Sequence, residues 1–146
     1  MQWKKDNFTI TCDSSKLDID VIYEFISQSY WSKGIPRATL EKSVNASLCF
    51  ALLENKKQIG FARVISDFAT IAYLGDVFIL EQFRGQGLSK WLLECVNSHP
   101  DLQGLRRWIL ATADAHGLYQ RYGFTPLKNP TMFMERHNPN IYQLNN

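Results

Sequence analysis

The stretch EQFRGQGLSKWLLEC, residues 81–95, places an arginine and two glycines directly before an apolar helical pattern. From Leu88 onwards, apolar side chains recur at the spacing of a helix that buries one face; they are Leu88, Trp91, Leu92, Cys95 and, just beyond the stretch, Val96. The preceding residues, ATIAYLGDVFIL, are typical of a β-strand. The glycines therefore connect a strand to a helix.

Gly85 and Gly87 have a functional and a structural explanation. Glycine lets the backbone turn sharply, so that several N–H groups and the helix dipole can hold an anion such as a phosphate. The alternative is a tight connection without a ligand. The stretch is not a P-loop, because no lysine and hydroxyl residue directly follow the second glycine. It is not the dinucleotide fingerprint either, because Lys90 stands where that motif has a third small residue.

Composition indicates one domain over residues 1–146, since 45% of the chain is hydrophobic and the length suits a single core. The net charge of +2 gives no general attraction for nucleic acid or an anionic membrane. No segment approaches the ~20 apolar residues of a membrane helix. Three widely spaced cysteines, Cys12, Cys49 and Cys95, suit free thiols in a reducing cytoplasm. Cysteine and histidine show no metal-ligand spacing, so we expect no metal.

The rest of the chain alternates between helical and strand patterns. We predict a short strand near Phe8, a hairpin over residues 47–66, a buried strand in RRWILATA and a last strand in TMFMER. We predict helices behind Asp18, after Pro36 and in DAHGLYQRYGF. These patterns predict a mixed α/β (α+β) fold, mostly antiparallel before the glycines.

The segment DVFILEQFRGQGLSKWLL resembles the acetyl-coenzyme A binding segment of the GCN5-related N-acetyltransferases (GNAT), whose motif is Gln or Arg, two residues, Gly, one residue, then Gly or Ala. Two registers fit. One uses Gln82, Gly85 and Gly87 and is intact; the other uses Arg84, Gly87 and Ser89, with serine in the last place. We prefer the second register, because it places the last motif residue in the first helical turn.

A later segment, AHGLYQRYGF, resembles a second part of the same family. The matching residues are Ala115, Leu118, Tyr119, Gly123 and Phe124. The resemblance implies a mixed, mostly antiparallel central sheet flanked by about four helices. It also implies that the sheet splays beside its third long strand, which opens a cleft for the pantetheine arm.

The resemblance implies acetyl-coenzyme A as co-substrate. The backbones of Val77, Phe78 and Ile79 would pair with the pantetheine amides, and the N–H groups of the glycine loop would hold the pyrophosphate. That loop comprises Arg84, Gly85, Gln86, Gly87, Leu88 and Ser89. The Arg84 side chain has the alternative of a solvated surface cation. Thr112 stands where many relatives contact the pantetheine region, although threonine is also an ordinary strand residue.

Tyr119 and Asp76 are the candidate catalytic residues. By resemblance, the Tyr119 phenol would donate a hydrogen bond or a proton to the leaving thiolate; the alternative is an inward aromatic, like Tyr122 beside it. Asp76 would accept the proton of the attacking amine, since a partly buried carboxylate can have its pKa raised. Its alternative is a hydrogen-bonded residue at a strand irregularity.

By resemblance, the molecule that accepts the acetyl group is expected to bind against the first two helices and the loop between them. Tyr30 and Trp31 could clasp an acceptor or cover the core, and Arg37 could attract a substrate carboxylate or be a surface charge. The predicted function is acetyl transfer to a primary amine of a small molecule or peptide by direct attack in a ternary complex. A non-catalytic sensor or scaffold that binds acetyl-coenzyme A is the alternative. We expect a monomer or homodimer.

Overall fold

The computed structural model describes residues 1–143, which form one six-stranded sheet and four α-helices. The strands are β1 (Gln2–Lys5), β2 (Phe8–Thr11), β3 (Leu48–Glu54), β4 (Lys57–Ser66), β5 (Ile71–Ile79) and β6 (Arg107–Leu110). They lie in sequence order; the first five pair antiparallel, and β6 pairs parallel to β5. The predicted mixed, mostly antiparallel sheet is confirmed.

The helices are α1 (Ile19–Ile26), α2 (Arg37–Asn45), α3 (Leu88–Ser98) and α4 (His116–Gln120). Asp18 caps α1 as predicted, since its carboxylate accepts from the backbone N–H groups of Asp20 and Val21. None of the helices in the described part of the chain is long and apolar enough to cross a membrane.

The core has two clusters on opposite faces of the sheet, because neighbouring residues of a strand point to opposite faces. Phe50 and Leu52 of β3 pack with Leu92 of α3. On the other face, Phe61 of β4 and Phe78 of β5 pack with the buried side of α1 and α2. The two faces thus attach α3 and the α1–α2 pair to the same long strands.

The predicted last strand in TMFMER is wrong. Pro130–Met132 form a single 3-10 turn, and no regular element follows until Ile141. A proline, with its fixed φ and no N–H, suits the start of such a turn. Phe133 instead lies under the guanidinium of Arg107, 4.8 Å from ring centroid to Cζ. This contact replaces the strand pairing that the β-forming residues predict.

The strand β1 was not predicted from the sequence. Gln2–Lys5 is too polar to show an apolar alternation, yet it pairs with all of β2 through a two-residue turn. Asp6 in that turn has φ 54°, the left-handed conformation that aspartate tolerates better than most residues. The turn residues Asp6 and Asn7 were the available signal.

The sheet opens between β5 and β6. These strands pair only over Ile71–Leu74 and Arg107–Leu110. Beyond Leu74, β5 continues to Ile79 beside β4, whereas the chain after Leu110 leaves the sheet towards α4. Two parallel neighbours that diverge leave a cleft and an unpaired backbone edge, so the predicted splay is present.

A substitution at Gly60 can test the close packing between β4 and β5. A Cβ there would lie 2.9 Å from Ile79 Cδ1 and 3.0 Å from the Phe78 carbonyl oxygen. We expect Gly60→Ala to lower the free energy of unfolding by about 1–3 kcal/mol through overpacking, measured by urea denaturation. Gly117→Ala is the matched control, because a Cβ in that helical position meets nothing within 4 Å. It should stabilise by about 0.5–1 kcal/mol; equal effects of the two substitutions would contradict the packing at Gly60.

Candidate active site

A cleft of about 810 Å³ lies where β5 and β6 diverge. Its walls come from β5, the start of α3, the β6–α4 connection, α4 and the loop between α1 and α2. Ten predicted site residues line it: Tyr30, Trp31, Asp76, Val77, Phe78, Ile79, Arg84, Ser89, Thr112 and Tyr119. A second cavity of about 520 Å³, beside the start of β6, contains none of them.

The open edge of β5 presents backbone groups to the cleft. The Leu80 N–H donates to the Ile59 carbonyl at 2.8 Å, on the β4 side. Backbone groups alternate in direction along a strand, so those of Phe78 also face β4, and those of Val77 and Ile79 face the cleft. Arg84 Nε donates to the Ile79 carbonyl at 2.9 Å. The Arg84 side chain therefore folds back onto the strand, although the residue remains exposed.

The two glycines of the loop are explained by their left-handed backbone conformation, and not by neighbouring atoms that leave no room for a side chain. Gly85 has φ 84° and Gly87 has φ 78°, both in the left-handed region. A Cβ at either position would meet nothing within 4 Å, so space remains over the loop. Gly87 is also the N-cap of α3 and gives the first N–H groups of that helix no side-chain partner. Open space, free donors and the helix dipole together suit a phosphate.

The other loop residues play lesser parts. Gln86 donates to the Phe83 carbonyl at 3.3 Å, which closes the loop on itself. The Leu88 side chain is buried in the core under α3, so only its backbone faces the loop. Of the loop residues, Arg84 and Ser89 line the cleft, whereas Gly85, Gln86, Gly87 and Leu88 between them do not.

Tyr119 lies on α4, half-buried at the cleft, with its ring edge-on to Phe124 at 6.0 Å. Burial raises the pKa of its phenol, and nearby Tyr30 and Asp114 raise it further. The hydroxyl makes no hydrogen bond within residues 1–143. Tyr122 differs, because its hydroxyl donates to the Lys90 carbonyl of α3 at 2.9 Å. Of the two neighbouring tyrosines, Tyr119 lines the cleft, and Tyr122 ties the turn after α4 to α3.

Asp76 is a buried carboxylate with two donors. Trp31 Nε1 donates to Oδ1 at 2.7 Å, and Arg63 Nε donates to Oδ2 at 2.8 Å. Asp76 has φ 54° opposite an irregularity of β4, between Phe61 and Arg63. The geometry thus has the arrangement of the structural alternative, a hydrogen-bonded residue at a strand irregularity.

Arg63 was missed by the sequence analysis. It lies on β4, lines the cleft, and also donates from Nη1 to Ser47 Oγ at 3.1 Å. A single arginine in the apolar strand KQIGFARVIS was the available signal, since buried charges need a partner. The sequence did not indicate which carboxylate would supply it.

Tyr30 and Trp31 form the wall opposite β5. Their rings meet edge to face at 5.0 Å, and they are 63% and 42% exposed. The Tyr30 hydroxyl accepts from the Ala113 N–H at 3.1 Å. Thr112 Oγ1 accepts from Ala115 N at 3.1 Å, which fixes the chain entering α4. These contacts hold the α1–α2 loop against the β6–α4 connection.

Arg37 lies outside the cleft, which corrects the expectation that it faces the acceptor. Its guanidinium pairs with Asp20 at 2.6 Å and with Glu41 at 3.0 Å, the latter one helical turn along α2. The two carboxylates raise the pKa of Arg37. Arg37 therefore joins the exposed ends of α1 and α2 as a surface charge.

The family described as "Acetyltransferase (GNAT) domain" matches residues 45–126, more than half of the chain and all the strands and loops that form the cleft floor. This chain belongs to the GNAT family. A GNAT-family protein of Xanthomonas campestris pv. campestris is 53% identical over 92% of this chain and 96% of its own, with a TM-score of 0.91.

Two further relatives are more distant. A Gibberella zeae protein whose name places it among the acetyltransferases is 29% identical over 80% of this chain and 78% of its own. A GNAT acetyltransferase of Elizabethkingia anophelis, solved with acetyl-coenzyme A bound, shares the fold with a TM-score of 0.64. It is 21% identical and covers 83% of this chain and 78% of its own.

The raised pKa of Tyr119 gives a spectroscopic prediction. Tyr119 and Tyr122 should both ionise above the ordinary tyrosine pKa of ~10, because burial disfavours each phenolate. Alkaline titration of absorbance near the phenolate band should show a late component from these two phenols, and Tyr119→Phe should remove the share of one phenol. The stability that this burial contributes is present below the unfolded pKa and is lost as pH rises towards the folded pKa. A late component of the same size in Tyr119→Phe as in the wild-type protein would contradict the burial of the Tyr119 phenol.

Proposed function

We propose that the protein transfers the acetyl group of acetyl-coenzyme A to a primary amine by direct attack in a ternary complex. The observation that carries this proposal is the Tyr119 hydroxyl, which faces the cleft without a hydrogen bond inside residues 1–143. The same cleft runs to Arg84 and Ser89 of the glycine loop. A phenol donor and a phosphate-type loop share one cavity.

The residues present fit acetyl-coenzyme A. The cleft-facing backbone groups of Val77 and the N–H of Ile79 can pair with the amides of its pantetheine arm, as a further strand would, while the Ile79 carbonyl already accepts from Arg84 Nε. The free N–H groups after Gly87 can hold its pyrophosphate. When bound, the coenzyme supplies a thioester carbonyl that an amine can attack. No metal enters this proposal.

In the proposed reaction, Tyr119 donates to the sulfur of the leaving thiolate. The amine nitrogen forms a bond to the acetyl carbon, the carbon–sulfur bond breaks, and the thiolate takes a proton or a hydrogen bond from the phenol. A tyrosine phenol is protonated at neutral pH, and burial raises the pKa of Tyr119, which extends the protonated form to higher pH. The proton that the attacking nitrogen loses goes to water, because both oxygens of Asp76 already accept from Trp31 and Arg63.

The acceptor, a small-molecule or peptide amine, enters beside Tyr30 and Trp31. Their exposed rings offer an apolar and π-rich surface for the part of the acceptor behind the amine. We further propose that the protein acts in the cytoplasm as a monomer or homodimer. Its three free cysteines support a reducing compartment.

Coenzyme binding is tested by thermal unfolding with and without acetyl-coenzyme A. At about 100 times its Kd, the ligand should stabilise the wild-type protein by about 2.7 kcal/mol. Gly87→Val should remove most of this shift, because a β-branched side chain fills the open space over the loop and disfavours φ 78°.

Gly104→Val is the matched control for that substitution. Gly104 also has a left-handed φ of 75° and open space around its Cβ, but it lies outside the cleft. The control should be destabilised to a similar extent and keep the full coenzyme shift. Loss of the shift in both variants would mean that general strain, and not the loop, controls binding. No shift in the wild-type protein would overturn the coenzyme proposal.

The chemistry is tested by Tyr119→Phe against Tyr122→Phe. An alkyl thiol with a pKa of ~8.5 is a tolerable leaving group, so a general acid is helpful without being indispensable. We expect Tyr119→Phe to lower kcat roughly 100-fold with little change in coenzyme affinity. Tyr122→Phe should lose only its bond to Lys90 and keep near wild-type kcat.

The assay measures release of the coenzyme thiol with small amines, amino acids, polyamines, aminoglycosides and peptide N-termini. Equal kcat in the two tyrosine variants would contradict the role of Tyr119. Coenzyme binding without thiol release for any acceptor would favour the alternative, a non-catalytic sensor or scaffold.

A further inference from the structure

A chain of polar contacts crosses the sheet behind the acceptor wall. Ser47, just after α2, accepts from Arg63 Nη1 at 3.1 Å and itself donates to the Ser43 carbonyl at 2.7 Å. Arg63 Nε donates to Asp76, and Asp76 accepts from the Trp31 indole at 2.7 Å. The chain therefore links the end of α2, two central strands and the α1–α2 loop.

The central pair is shielded from water. The side chains of Arg63 and Asp76 are 17% and 7% exposed. Removing one member of such a pair is costly because it leaves an uncompensated charge, whereas an apolar pair of similar volume is often at least as stable. Stability alone therefore gives no strong reason for an ion pair at this point. The geometry of the ion pair gives another reason for its presence, since the pair fixes the orientation of a third group.

That third group is Trp31. Its indole N–H has Asp76 as its hydrogen-bond partner, and its ring is 42% exposed at the cleft. On the other side of the same loop, the Tyr30 hydroxyl accepts from Ala113 N–H. The aromatic pair thus spans the opening between β5 and the β6–α4 connection, attached at both ends by hydrogen bonds.

Asp76 is held in an unfavourable backbone conformation to make this contact. A residue other than glycine at φ 54° costs about 1 kcal/mol or more, and such strain persists where the surroundings enforce it. The register shift of β4 between Phe61 and Arg63 lies opposite. The irregularity turns the carboxylate towards both donors at once.

We propose that Arg63 is a positioning residue for acceptor recognition: through Asp76 it holds Trp31 as the aromatic wall against which the acceptor binds. This inference rests on the proposed acetyl transfer for the meaning of "acceptor". Arginine suits the role because its planar guanidinium donates to Asp76 and Ser47 from two fixed nitrogens. A lysine has one nitrogen and cannot reproduce that arrangement. Asp76 acts here as the connector and not as the proton acceptor.

The steady-state test uses Arg63→Met, Asp76→Asn and Trp31→Phe. Each should raise the acceptor KM about tenfold, the size expected for losing one hydrogen bond to a charged group, with kcat and coenzyme affinity changed less than about threefold. In Trp31→Phe only the indole N–H and ring size change, so this variant remains informative if the buried substitutions fail to fold. A loss of kcat of about 100-fold in Asp76→Asn would overturn the proposal and favour Asp76 as general base.

Asp67→Asn is the control for general destabilisation. Asp67 holds the turn at the other end of the β4–β5 hairpin through the N–H groups of Ala69, Thr70 and Ile71, and it lies outside the cleft. It should lower the melting temperature without raising the acceptor KM. A rise in KM equal to that of Arg63→Met would overturn the specific role of Arg63.

A double substitution separates positioning from direct contact. If Arg63 acts through Trp31, adding Arg63→Met to Trp31→Phe should change the acceptor KM less than about twofold further. Multiplying effects, about a hundredfold together, would show that Arg63 meets the acceptor itself and would overturn the positioning role.

An independent measurement needs neither acceptor nor coenzyme. The Trp31 indole N–H signal, assigned by its disappearance in Trp31→Phe, should shift and exchange faster with solvent in Arg63→Met, because its acceptor Asp76 loses its own anchor. An unchanged signal would overturn the link from Arg63 to Trp31. Absence of turnover in the wild-type protein would overturn the proposed function, and the indole signal would still decide whether Arg63 orients Trp31.

Discussion

The separation of β5 from β6 after four paired residues determines the rest of the molecule. A strand inside a sheet normally pairs on both edges, and buried backbone groups without partners are costly. Beyond Leu74, one edge of β5 faces a cleft, and Arg84 Nε satisfies only the Ile79 carbonyl there. The other backbone groups on this edge of β5 lie at the open, solvent-accessible cleft, where an amide-containing ligand can pair with them. Strand divergence thus creates the cavity and its donors and acceptors together.

The junction after β5 extends this constraint into the glycine loop. The chain must leave the sheet, turn within a few residues and start α3 in a direction that buries Leu88 and Leu92 against β3. Two left-handed residues achieve that turn, and glycine adopts the conformation at the lowest cost. The same turn leaves the N-terminus of α3 uncapped. Folding and the proposed binding of the coenzyme pyrophosphate therefore favour the same residues at Gly85 and Gly87.

Local sequence patterns predicted the parts of the fold that depend on local interactions. The helical spacing from Leu88 to Val96 and the cap at Asp18 each depend on residues within two turns of a helix. TMFMER has strand-forming residues but no strand, because an aromatic contact to Arg107 replaced pairing. Residue types alone do not show which of two long-range contacts forms.

The residues of the candidate site likewise divide into those that local sequence patterns indicated and those that long-range pairing determines. The glycine loop and Tyr119 lie in segments with a fixed internal spacing, so the sequence could indicate them. The Arg63–Asp76 pair depends on the register of β4 and β5, which shifts at an irregularity between Phe61 and Arg63. A register is set by the whole sheet. Arg37 shows the opposite case: it begins α2 and pairs with Asp20 of α1 and with Glu41 one turn along its own helix.

The proposed reaction needs a deprotonated amine and a protonated phenol at the same time. An alkyl ammonium and an ordinary phenol both have pKa values of ~10, so each gains its reactive form at the expense of the other near that pH. Burial of Tyr119 raises the pKa of the phenol and so extends its protonated form to higher pH. That shift widens the pH range in which a free amine and an acid coexist in one cleft. In the proposed mechanism the amine's proton can then go to water, while Asp76 holds Trp31 in the wall beside the proposed acceptor site.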